Sequence, residues 1–106
     1  MTKPGFEPSG YITLTGFAER EGDQFASFCR ELGTASCGDT LEEAFENLRD
    51  AVRIHLEGLA ETGELGRFLQ EKRIVVRKTR STALLSVKVP PEKIVMTFRE
   101  RVPLAA

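Results

Sequence analysis

The stretch Cys29–Leu59, CRELGTASCGDTLEEAFENLRDAVRIHLEGL, decides how this chain is read. Its second half predicts a helix. Thr40 stands at the N-cap with Glu43 three residues on, the reciprocal spacing of a capping box. Asp39, Glu42 and Glu43 gather where the positive end of the helix dipole favours carboxylates. Leu41, Ala44, Phe45, Leu48, Val52, Leu56 and Leu59 recur at steps of three and four and form one apolar stripe. Glu42, Glu46, Arg49, Asp50, Arg53 and Glu57 fall outside it. A helix with one apolar side needs a surface to cover, and the residues around it supply strands.

Working back from Cys29, Gln24–Cys29 reads as a strand, and Tyr11–Thr15 alternates with the period of two that marks a half-buried one. The polar run Glu19–Asp23 joins them as a turn, with Gly22 free to take positive φ. Thr34–Cys37 serves as a third strand, ended by Gly38 and Asp39. Working forward, Gly58 and Gly63 loosen the chain. Thr62 then opens a shorter helical segment carrying Leu65, Phe68 and Leu69 and ending near Arg73. Ile74–Val76 is β-rich, Ala83–Val89 reads as a strand stopped by Pro90 and Pro91, and Ile94–Arg99 reads as another. In that last segment Ile94, Met96 and Phe98 share one face. The expected class is α+β: a small antiparallel sheet packed by one long helix, in the order β-β-β-α-α-β. Residues 1–9 form a loose lead-in, 10–79 the domain, and 80–106 a basic β-rich arm.

The 106 residues suffice for one domain with one core, and 29% charged against 41% hydrophobic is ordinary for a globular chain. No apolar run reaches the length of a membrane span, and the start MTKPGFEPSG has no apolar signal core. Two cysteines seven residues apart do not make a disulfide framework, so free thiols in a reducing cytoplasm are expected. The net charge of −1 conceals a division. Residues 1–71 carry 6 Lys/Arg against 14 Asp/Glu, whereas residues 72–106 carry 9 against 2. A basic tail on an acidic body suits an acidic partner, a nucleic acid, or the body of the same protein.

Residues able to do chemistry are few. The single histidine, His55, projects from the apolar side of the helix near Leu48 and Val52 and reads as a satisfied core-edge residue. Cys29, Cys37, Asp39 and His55 have no metal-ligand spacing, and both cysteines read as small apolar fillers of neighbouring strands. The glycines assemble no phosphate-binding loop. No catalytic motif, cofactor site or metal site is expected. Lys88–Lys93 has the strand-then-turn opening of a ribbon-helix-helix module, but no helix pair fits behind it.

Three pieces at fixed spacing, Glu31–Leu32–Gly33, Gly38–Asp39–Thr40 and Glu43–Ala44, resemble the signature of the HicB family of antitoxins, with Asn47–Val52 and Leu56–Gly58 extending the match. The resemblance runs from about residue 11 to residue 74. Arg30 stands where the family commonly has proline, and Cys37 where it has glutamine. The resemblance implies a partly degraded ribonuclease-H-like fold without the acidic metal site of active nucleases. It implies no enzyme activity, and as partner a HicA-like mRNA-cleaving toxin of basic character. Glu42, Glu43, Glu46 and Asp50 are then the expected partner-binding residues. Many members append a DNA-binding domain where this chain has only the arm from Ile74 to Ala106, so DNA binding stays open. The alternative is a stand-alone oligomeric module without a toxin, a homodimer joined through Leu85, Val87, Val89, Val95 and Phe98.

Overall fold

The computed structural model describes residues 9–77 and 94–103. It is an α+β structure in which a four-stranded antiparallel sheet packs against a helical layer. The elements are β1 Ser9–Glu21, β2 Gln24–Cys29, β3 Ala35–Gly38, α1 Leu41–Glu61, α2 Leu65–Glu71 and β4 Ile94–Pro103. The strand order is β3-β2-β1-β4.

β1 is far longer than the five alternating residues predict. It runs on through Gly16, Phe17 and Ala18 because it is flanked on both sides, and from Thr15 to Ala18 its odd residues are buried as well as its even ones. Burial on both faces erases the alternation that reveals a strand. The turn into β2 shrinks accordingly to Gly22 and Asp23, with Gly22 at φ 60°, where the missing Cβ avoids a clash. β2 has the expected bounds. β3 begins one residue later than expected and ends at Gly38.

β4 corrects the expected domain division. Residues 94–103 are no separate arm: they pair with β1 from Ser9↔Pro103 to Ala18↔Ile94 and form one side of the domain's own sheet. Phe98 and Val102 enter the core with Ile12 and Leu14, so Ile94, Met96 and Phe98 do share a face, the one turned toward α1. The final strand of the domain is therefore β4 and not the expected one at Ile74–Val76. Ile74–Val76 is not a strand. It runs beside the core with Ile74 and Val76 partly buried, and Arg77 makes an isolated bridge to Tyr11.

α1 follows its capping box. The Thr40 hydroxyl accepts from the Glu43 N–H at 3.1 Å, and the Glu43 carboxylate accepts from the Asp39 N–H at 3.1 Å, which satisfies two helix-start donors. Ala44, Phe45, Leu48, Val52 and Leu56 are buried against the even residues of β1, while Leu41 and Leu59 are half-covered at the ends of the stripe. Gly58 lies within α1 rather than ending it. Thr62 is the C-cap of α1, Gly63 turns the chain at φ 75°, and α2 seats Leu65 and Leu69 beside the end of α1.

Candidate functional site

The residues that carry the family-like signature meet at the junction of β1, β2, β3 and the start of α1. Glu31 follows β2, and its carboxylate accepts from the Thr15 N–H at 2.8 Å and the Thr15 hydroxyl at 2.9 Å. The Cys29 thiol donates to the same carboxylate at 3.7 Å. The Arg30 N–H completes the knot by donating to the Thr15 carbonyl. Thr15 is 2% exposed, so Glu31 takes the place of a β2 residue just where that strand has ended. Gly33, at φ 74°, turns the chain back into β3. Gly38 passes so close to α1 that a Cβ there would stand 2.5 Å from Ala44 N. Ala44 is fully buried, and its carbonyl accepts the Ser27 hydroxyl at 2.8 Å. Asn47 reaches back from α1 to the Cys37 carbonyl at 2.9 Å. Glu31, Gly33, Gly38 and Ala44 thus each answer a demand of the fold at this junction.

The surface available for recognition lies elsewhere, on the outer side of α1. That helix holds six Asp/Glu against two Arg. Of the four expected partner-binding residues, all are exposed, and they differ in what they already do. Glu43 is engaged in the capping box. Asp50 is paired with Arg53 at 3.1 Å, an exposed contact of small energetic weight. Glu42 and Glu46 have no ion-pair partner among the described residues. Ile54, 68% exposed, lies on the same outward side, where periodicity puts polar residues. It breaks the polar pattern of the helix, and its position off the apolar stripe is the signal the sequence carries for it.

The acidic helix lies on one side of the sheet, while Arg99 and Arg101, odd residues of β4, stand on the opposite face. There the Arg101 guanidinium lies 5.8 Å from the Tyr11 ring centroid and donates to its hydroxyl at 3.4 Å. That opposite face also holds the stacked Phe17–Phe28 pair, centroids 5.2 Å apart, with Val95 opposite Phe17.

Of the expected subunit-contact residues, Phe98 is corrected: at 6% exposure it is a core residue of its own chain. Val95 is half-buried on β4. Leu85, Val87 and Val89 lie outside the described residues. Cys37 is also corrected, being exposed on β3 rather than a filler, whereas Cys29 is fully buried. Burial, with the neighbouring Glu31 carboxylate adding to it, pushes the Cys29 thiol up to about 11. Both thiols are free. His55 stays at the core edge, its Nδ1 3.4 Å from the Thr34 hydroxyl and its ring edge-on to Phe68 at 5.3 Å. Among the described residues, no three His, Cys, Asp or Glu side chains converge to hold a metal ion. Nor is any helix among them long and apolar enough to cross a membrane.

Glu100 is the buried carboxylate among the described residues. It lies on β4, 8% exposed, and its Oε1 has only Arg49 Nε nearby, at 3.5 Å. It forms part of the wall of a shallow cleft of about 230 Å³ between α1 and β4, with Leu56, Ala60 and Val102 as the apolar lining.

Compared with protein-family models, with curated proteins and with solved structures, the chain gave no match in any of the three.

Proposed function

We propose that this chain is a HicB-like antitoxin domain that binds a small basic RNA-cleaving toxin and masks its RNA-binding surface, with no catalysis of its own. The observation that carries this reading is the acidic outer side of α1: six carboxylates against two arginines on a helix whose other side is committed to the core. A ribonuclease that grips a polyanion has to be basic where it acts, so an anionic helix competes for the same surface. Glu42 and Glu46 are the residues assigned to contact the toxin, with Asp50 joining by exchanging Arg53 for a partner cation. The signature Glu31–Leu32–Gly33, Gly38–Asp39–Thr40 and Glu43–Ala44 supports the reading through the fold: it builds the junction that presents the helix.

Co-expression with the short basic protein of the adjacent reading frame tests the proposal. Growth should recover, the two proteins should co-purify, and the association rate should fall steeply with added salt. Glu42→Lys with Glu46→Lys should abolish the rescue while leaving the melting temperature within a few degrees, because surface substitutions move stability by about 0.5 kcal/mol or less each. No rescue and no complex would overturn the reading. A second reading, an oligomeric module without a toxin, draws on a different feature, the outer edge of β4.

A further inference from the structure

We infer that β4 pairs edge to edge with β4 of a second copy, joining two sheets into one across a two-fold axis. β4 is the outermost strand on its side of the sheet, and among the described residues no strand lies beyond it. The backbone bonds of β1 reveal which of its groups are open. Thr15 directs its N–H to Glu31 and its carbonyl to Arg30, and Tyr11 exchanges both groups with Arg77, so odd residues of β1 face away from β4. Its even residues therefore bond β4, through Gly16↔Met96, Leu14↔Phe98 and Ile12↔Glu100. Val95, Thr97, Arg99 and Arg101 are left with their N–H and C=O groups turned outward. An edge that no described strand pairs is a template for another strand.

The occupant is argued from the strand's own sequence. Antiparallel self-pairing about Phe98 sets Val95 opposite Arg101 and Thr97 opposite Arg99, with no like charges facing, and uses the strand from Ile94 to Val102. An axis at Arg99 would set that residue against its own copy, which like-charge repulsion disfavours. Only the Phe98 axis sets Ile94 opposite Val102. Ile94 is 44% exposed, and Val102 with Leu56 and Ala60 lines the cleft beside β4, so Ile94 of the second copy closes it. The two buried side-chain polar atoms without a hydrogen-bond partner among the described residues, Arg99 Nε and Glu100 Oε1, sit on consecutive residues of this strand, and Glu100 Oε1 has only the 3.5 Å ion pair with Arg49. In the paired sheet the Thr97 hydroxyl of the second copy stands opposite Arg99 as an acceptor.

Sedimentation equilibrium on the full chain tests the inference, and the expected species has twice the 11.8 kDa of one chain. Thr97→Pro removes an outward N–H without removing a bond to β1, since proline is tolerated in an edge strand whose N–H faces outward. It should yield a monomer with an unchanged far-UV spectrum. Should that variant not fold, Val95→Lys reads the same contact, because it sets Lys against Arg101 twice per dimer. The dissociation constant should then rise about tenfold, and Arg101→Glu added to Val95→Lys should restore it. A monomer at every concentration overturns the inference, as does a dimer that neither variant weakens. The outcome is read on the chain alone, and the residues proposed to contact a toxin, Glu42 and Glu46, lie at the start of α1 rather than on β4.

Discussion

Adding one methyl group at Gly38 tests the junction between β3 and α1 directly. The new Cβ of Gly38→Ala would stand 2.5 Å from Ala44 N, 2.8 Å from Glu43 C and 2.9 Å from Glu43 Cβ. Non-bonded carbon contacts are comfortable at about 3.5–4 Å, so strand and helix would have to part by about 1 Å. Two of the nearest atoms are backbone and cannot swing aside. The parting stretches the Asn47 bond to the Cys37 carbonyl and the Glu43 bond to the Asp39 N–H. Overpacking of this kind costs about 1–3 kcal/mol, and one weakened hydrogen bond about 1 kcal/mol more. Alanine's smaller unfolded-state entropy returns about 0.5 kcal/mol. The net expectation is a loss of about 2–3 kcal/mol, a fall in Tm of roughly 10–20 °C for a domain of this size. Gly58→Ala is the matched control. Its Cβ meets nothing within 4 Å and it lies within α1, so the same chemical change should stabilise by about 0.5–1 kcal/mol. Thermal and urea unfolding followed by circular dichroism reads both. A Gly38→Ala protein as stable as the parent would refute the close packing of β3 on the start of α1.

Glu31→Gln should destabilise by about 1–3 kcal/mol, because an amide presents one carbonyl where the carboxylate accepts from the N–H and the hydroxyl of Thr15. Adding Thr15→Val should be less than additive in a double-mutant cycle, and strict additivity would sink the proposed coupling. For the thiols, Cys37 should react with Ellman's reagent at neutral pH in the native protein and Cys29 only after denaturation. Equal native rates would contradict this. The folded state holds the Cys29 proton more tightly, with a pKa of about 11 against an ordinary 9.0. Its contribution to stability is therefore complete below pH 9.0 and lost as pH climbs toward 11, so urea titrations across that window should slope downward. Cys29→Ala should remove that slope, apart from its lower baseline.

The helix was legible because everything that specifies it is local. Thr40 and Glu43 sit three residues apart, and the stripe from Leu41 to Leu59 follows from helical geometry alone. The β1–β2 hairpin was legible in part. Gln24–Cys29 stood out, but β1 was read too short, since a strand covered on both faces loses its alternation at Phe17 and Ala18. The site was legible at the level of residue type. The acidic outer side of α1 could be read from periodicity, whereas the employment of Glu43 in the cap and of Asp50 with Arg53 required coordinates.

Residue order alone determined that a capped amphipathic helix follows two hairpin strands, and that acid collects on the side of that helix away from its apolar stripe. Tertiary structure decided where the last strand goes. β4 reaches its place beside β1 across most of the length of the chain, and no local pattern records a pairing between Leu14 and Phe98. That pairing turns the expected arm's residues 94–103 into part of the domain, moves Phe98 from an expected contact to the interior, and leaves Val95, Thr97, Arg99 and Arg101 along an edge that no described strand pairs. Strand pairing is a long-range choice, settled by which hydrophobic faces can be buried together.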